Sequence, residues 1–171
     1  HGNKFLARFK RGLSVGLHLS DAVVDGLEYP DDRGLALTYR FHVYEVVNLL
    51  LDKIALGLAA RLHNAGYVAY PVPASQTIDQ ERFLGIISHK LVANLAGLGW
   101  IGKNCLLVAP EFGPRVRFAT VLTDAPLRPA VMQLGSRCGS CTLCVETCPA
   151  RAFTGAAFDP DEPREARFDP G

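Results

Sequence analysis

The chain has 171 residues, a net charge of +1, 49% hydrophobic residues and five cysteines. That length buries a real core and suits one domain with a small appendage, and a charge so near zero excludes a global basic field for nucleic acid. No apolar run approaches the roughly 20 residues that span a bilayer, and the start His1-Gly2-Asn3-Lys4-Phe5 lacks the n-region and h-region of a signal peptide; with an odd number of thiols, which argues against a disulfide framework, these features predict a cytoplasmic protein and no membrane partner.

In chain order, Lys4, Arg8, Lys10 and Arg11 read as a solvated segment with Phe5, Leu6 and Phe9 turned inward. Leu13, Val15, Leu17 and Leu19 alternate as in a strand, leaving His18 on the other face. Tyr29 to Gly34 reads as a turn. A long helix is predicted over 38–64, with Val43, Val47, Leu50, Ile54 and Leu58 as its apolar stripe and Val46, Leu49, Leu51 and Leu62 widening it until much of the surface is buried. Gly66 supplies its stop.

A strand follows over 67–72, then a helix over 87–96 that ends at Gly97. The segments 104–109 and 115–123 read as two strands of a hairpin joined by Pro110-Glu111-Phe112-Gly113-Pro114. The order β, α, β, α, β, β favours an α+β fold, a mixed or antiparallel sheet packed by helices. After Asp124, itself read as a turn cap, the composition becomes loop-like, which predicts two units, 1–127 and 128–171. Asp159 to Arg167 is mixed in charge and broken by prolines, so it reads as an exposed linker.

The second unit carries Cys138-Gly139-Ser140-Cys141-Thr142-Leu143-Cys144-Val145-Glu146-Thr147-Cys148-Pro149. This is the C-x2-C-x2-C-x3-C-P run of bacterial ferredoxins: three thiolates wrap one cubane, and the fourth serves a second cluster in two-cluster ferredoxins. Zinc is the competing reading, but structural zinc sites split their ligands into two pairs separated by a loop. Cys138, Cys141, Cys144 and Cys148 are therefore the expected metal ligands. Cys105, alone in an apolar stretch, reads as a small core residue.

Gly97-Leu98-Gly99-Trp100-Ile101-Gly102-Lys103-Asn104 matches G-x-G-x-x-G and nearly matches a P-loop. Both motifs need a strand before the glycines and a helix after them. The predicted order here is the reverse, and Asn104 stands where a magnesium-binding hydroxyl belongs, so a nucleotide site is rejected. The segment reads as a helix C-cap and tight turn anchored by Trp100 and Ile101; its glycines also allow close backbone approach to a large cofactor.

From about Leu13 onward the chain resembles the epoxyqueuosine reductase-like iron–sulfur proteins. The carriers are Pro71-Val72-Pro73-Ala74-Ser75, Ser88-His89-Lys90, the segment Ala96 to Asn104, Gly113-Pro114-Arg115-Val116-Arg117, Val121 to Leu127 and the cysteine run. The resemblance implies a nitroreductase-like, cobalamin-binding α+β domain followed by a partial ferredoxin-like module, an architecture shared with reductive dehalogenases. It implies 4Fe–4S clusters, two in the full pattern, with Cys138, Cys141 and Cys144 on the first and Cys148 on the second. A second cysteine run is expected just beyond Gly171, and the tRNA-binding repeats of the family are expected to be missing. The resemblance also implies cobalamin near Gly99, Trp100, Gly102, Lys103, Leu107 and Ala109, and an electron donor such as ferredoxin or flavodoxin.

Where the epoxyqueuosine reductases place an acidic proton donor, this chain has Phe83-Leu84-Gly85-Ile86-Ile87-Ser88-His89-Lys90, with no carboxylate between Glu81 and the glycine turn. The expected substrate is then a small molecule rather than a tRNA base. His89 is the candidate proton donor, against a helix-start histidine satisfied by backbone. Arg115 and Arg117 share one strand face and read as anion contacts or as a solvated face. The leading reading is an iron–sulfur oxidoreductase; the alternatives are an electron-transfer module without its own substrate and a non-enzymatic zinc or thiol protein.

Overall fold

Strand β1 (Arg11–His18) lies antiparallel to β5 (Val116–Thr123), from Arg11 opposite Thr123 to His18 opposite Val116. The other edge of β5 takes β2 (Ala69–Val72), with Ala69 opposite Thr123 and Val72 opposite Thr120. The sheet order is therefore β1-β5-β2. Strand β5 takes the centre because its Val, Phe and Thr residues suit a pleated surface covered on both sides: Phe118, Ala119, Thr120, Val121 and Thr123 are all buried. This computed structural model describes residues 4–82, 84–130 and 134–169. Residues 1–3, Phe83, 131–133, Pro170 and Gly171 lie outside the described residues.

One face of the sheet packs on a long helical rod. Asp32 caps its start, its carboxylate accepting from the backbone N–H of Gly34 at 2.8 Å and of Leu35 at 3.1 Å. After the short helix α1 (Asp21–Asp25), helix α2 (Arg33–Arg40) runs through a π-helical stretch, Phe41–Val47, into α3 (Asn48–Asn64). The rod thus begins earlier than expected. Val43, Val47, Leu51, Ala55 and Ala59 are its buried row and meet Ala119 and Val121 of β5. Leu50, assigned to the stripe, is 48% exposed, and Val46 and Leu49 are exposed too, so the expectation of a helix buried over much of its surface is corrected. From Leu51 to Ala59 the row is an ordinary i, i+4 ridge of α3, which the π-helical stretch extends back to Val43. Gly66, at φ +86°, closes the rod as its N–H donates to the His63 carbonyl and that of Tyr67 to the Leu62 carbonyl.

The other face of β5 carries the second core. Phe118 packs there with Ala93, Ile101 and Leu107. Ala93 belongs to α4 (His89–Leu95), capped by the Ser88 hydroxyl, which accepts from the Leu91 N–H. The expected hairpin of 104–109 with 115–123 does not form. Strand β4 (Leu107–Val108) pairs backward with β3 (Trp100–Ile101), Trp100 opposite Val108 and Ile101 opposite Leu107. Both edges of β5 are already occupied by β1 and β2, which leaves 104–109 to fold onto the glycine turn. Ala109 and Gly113 exchange backbone hydrogen bonds of 2.8 Å to close the intervening loop.

Beyond residue 127, α5 (Leu143–Glu146) carries Cys144, and Phe153 bridges to Phe168. Phe158 packs against the second core, and Arg167 is only 7% exposed. The expected exposed linker over 159–167 thus holds for 159–163, Glu165 and Ala166, while Arg164 is half-buried and Arg167 turns inward. Among the described residues no helix is long and apolar enough to cross a membrane.

Candidate functional site

The glycine turn is built by helix termination followed by close packing. Gly97, at φ +76°, ends α4 as the Leu98 N–H donates to the Ala93 carbonyl. A Cβ on Gly99 would lie 2.3 Å from the Val108 carbonyl oxygen, so only glycine lets β3 and β4 meet here. The order of helix, turn and strand excludes the phosphate-binding geometry that the glycine spacing mimics.

Successive residues of a strand face opposite ways. In β3, Ile101 enters the second core and lines a cleft, whereas Trp100 turns to the cysteine run. The Arg137 guanidinium lies 5.5 Å from the centre of the Trp100 ring. The Trp100 Nε1–H is buried without a regular hydrogen-bond partner, yet it stands close enough to the Cys138 sulfur to favour its thiolate. Burial raises the Cys138 pKa, but the Lys103 backbone N–H, the Ser136 hydroxyl, the Trp100 N–H and the Lys103 charge together bring it below the ordinary thiol value. Lys103 Nζ also donates to the Gly139 carbonyl at 2.9 Å and the Cys141 carbonyl at 3.1 Å. Gly139, at φ +49°, forms the turn that brings the Cys141 N–H to the Cys138 carbonyl.

Cys138, Cys141, Cys144 and Cys148 are all free thiols, partly or fully accessible, and among the described residues no three such ligands are gathered into a metal-binding group. Their chemistry nevertheless fits an iron–sulfur cluster. They supply soft thiolate donors on a glycine-bearing turn, beside an indole N–H that lacks a regular acceptor and that a cluster sulfur would satisfy. The corrinoid expectation is matched less well. Of Gly99, Trp100, Gly102, Lys103, Leu107 and Ala109, only Leu107 lines the cleft. The space beside Gly99 is filled by Val108, and that beside Gly102 by Asn104 and Val108, so these six residues do not form one cradle.

The cleft itself has a volume of about 590 Å³ and lies between the start of α4, β5 and the C-terminal segment, within the roughly 300–1,000 Å³ range of small-molecule sites. His89 lies in its wall with both ring nitrogens engaged: Nδ1 is 2.8 Å from the Thr120 hydroxyl and Nε2 is 2.9 Å from the Pro73 carbonyl. The carbonyl can only accept, so Nε2 carries the proton and Nδ1 accepts from Thr120. Burial holds the His89 pKa below its ordinary value. Lys90 Nζ donates to the carbonyl of Cys105, a buried residue at φ +57°. Arg115 is held by Asp21 at 2.8 Å and Asp25 at 2.7 Å, whereas Arg117 donates to Asn48 at 3.0 Å and lines the cleft. The Asp124 carboxylate accepts from the Val68 N–H at 2.8 Å, a long-range tie to the residue before β2 rather than the turn cap expected of it. Arg164 and Arg167 reach the same cleft. The sequence reading missed both, since only the apolar residues among them, Phe158 and Phe168, signal an inward face.

Fold and site define a class: a mixed helix and antiparallel-sheet protein in which a glycine turn separates a docked cysteine run from a basic cleft. No family model matches the chain. The chain is similar to curated epoxyqueuosine reductases: 41% identical over 69 residues to that of Bacillus anthracis, covering 40% of this chain and 18% of the relative, and 40% identical over 78 residues to that of Bacillus subtilis, covering 46% and 19%. The matched stretch is thus less than a fifth of those relatives. A crystal structure of epoxyqueuosine reductase with an epoxyqueuosine-modified tRNA stem loop aligns at a TM-score of 0.48 and 29% identity, covering 61% of this chain and 25% of that one.

Proposed function

We propose that the chain is an iron–sulfur oxidoreductase of the epoxyqueuosine reductase-like group, acting in the cytoplasm on a small molecule held in the cleft. The single observation that carries this reading is the placement of β3, with Trp100 on the cysteine run and Ile101 on the cleft wall. A strand's thickness separates the two, and the similarity to reductases supports the chemistry. When bound, a 4Fe–4S cluster supplies one-electron transfer. The chain's own part is to fix the thiols through Lys103, to exclude water with the Trp100 indole, and to orient substrate on the far side of β3. Ferredoxin or flavodoxin suits the role of electron donor.

The absence of a carboxylate between Glu81 and the glycine turn supports a substrate other than a tRNA base. His89 is assigned to positioning: donating its proton would first require breaking the bond to Pro73. The residues of the glycine turn give a corrinoid no single cradle. Titration of the reconstituted protein with cob(II)alamin tests that cofactor, and spectra unchanged from free corrinoid remove it. A module that only relays electrons needs no cleft beside its turn, and the cavity lined by Ile101 and Leu107 speaks against that reading. Anaerobic reconstitution is expected to yield about four iron and four sulfide per cluster formed; zinc in place of iron would overturn the proposal.

A further inference from the structure

The cleft holds more positive charge than its walls neutralise. Lys90, Arg117, Arg164 and Arg167 line it against one carboxylate, Glu162, while His89 is engaged in its neutral form. Arg117 is satisfied at Nε by Asn48 and lies over the Tyr44 ring. Arg164 donates to the Arg82 carbonyl and lies 3.8 Å from Glu165, and its guanidinium faces the Phe168 ring at 5.4 Å. Arg167, only 7% exposed, lies over the Phe158 ring at 4.7 Å. The Nε atoms of Arg164 and Arg167 are buried with no hydrogen-bond partner. Burial, followed by the like charges of Arg164 and Arg167, pushes the Lys90 pKa down against an opposing pull from Cys105.

A guanidinium cannot shed its proton to escape burial, and unmatched buried donors are costly. The Arg167 and Arg164 guanidiniums sit over the Phe158 and Phe168 rings, and Arg164 spends one terminal N–H on the Arg82 carbonyl, so a ligand would meet the donors that this bond does not use. An oxyanion is the group that matches such edges, because its oxygens accept several charge-assisted hydrogen bonds at once.

We propose that the cleft recognises its ligand through a carboxylate or phosphate gripped by Arg167, Arg164 and Lys90. This names the substrate class and rests on the reading of the cleft as the substrate site. The test is calorimetric titration of the whole chain with inorganic phosphate and, separately, with acetate, at ionic strength held constant with chloride. Saturable binding of either probe is expected, and whichever binds tighter identifies the favoured oxyanion.

Lys90→Met and Arg164→Gln should each weaken binding about tenfold, as for loss of one charge-assisted hydrogen bond. Lys53→Met, at an exposed position outside the cleft, should leave it unchanged. Arg167→Lys keeps the charge in case Arg167→Gln does not fold, and should weaken binding less than Lys90→Met. Binding of neither probe, or equal affinity in Lys90→Met, Arg164→Gln and the parent, overturns the proposal. Iron and sulfide assayed on the same samples separate the two claims: zinc with intact anion binding removes only the cluster reading, and a normal cluster without anion binding removes only this one.

Discussion

His89 illustrates how far one side chain is constrained by its neighbours. Its ring joins the Pro73 carbonyl to the Thr120 hydroxyl, tying the turn after β2 to β5 through α4. The folded ring stays neutral below the ordinary histidine value because burial disfavours the charged form. The unfolded chain therefore binds the extra proton between the two pKa values, so stability rises with pH across that window. It is complete above about pH 6.5 and is lost as pH falls toward the folded-state value, with a limiting slope of about 1.4 kcal/mol per pH unit. His89→Gln, which can still hydrogen-bond, should cost about 1–2 kcal/mol near neutrality yet flatten the acid limb. Urea unfolding of both proteins between about pH 5 and 8 checks this; equal acid slopes would place the sensitive group elsewhere.

At the scale of elements, the helical rod separates two assignments of its buried row. The sequence stripe places Leu50 inside, whereas the structure buries Leu51 completely and leaves Leu50 48% exposed. Leu51→Ala should therefore cost about 2–5 kcal/mol, and Leu50→Ala no more than about 0.5 kcal/mol, by urea midpoints at constant slope. The reverse order would restore the sequence-derived phase. Strand β1 and the Gly66 and Gly97 stops were legible, because alternation and glycine stops are local signals. The π-helical stretch was not, since nothing in Phe41–Val47 marks the extra residue per turn. The pairing of β4 with β3 was hidden for a different reason: the loop 110–114 has hairpin length, and only the full sheet reveals that β5 has no free edge. The same holds for the site. The cysteines and the glycine turn stand out by spacing, whereas Arg164 and Arg167 gain their meaning from Phe158 and Phe168 in the fold.

Across the whole molecule, the contacts that tie the segment beyond residue 127 to the sheet-bearing part include two sets of charged side chains. Lys103 holds the carbonyls of Gly139 and Cys141, and Arg82 pairs with Glu165 at 2.9 Å. The first tie sets the cysteine run against Trp100; the second closes the cleft with Arg164 and Arg167. The indole N–H at this junction has no regular partner, and its role is testable apart from turnover. A donor aimed at cluster sulfur stabilises the reduced, more negative state and so raises the midpoint potential. Trp100→Phe keeps an aromatic ring for Arg137 but deletes the donor. The expected result is unchanged iron and sulfide content with a midpoint lowered by about 40 mV, the one-electron equivalent of roughly 1 kcal/mol. Redox titration followed by EPR reads the shift directly. Lost iron in Trp100→Phe would instead give the indole a role in shaping the thiol site, and an unmoved potential at full occupancy would mean that the N–H does not reach the cluster.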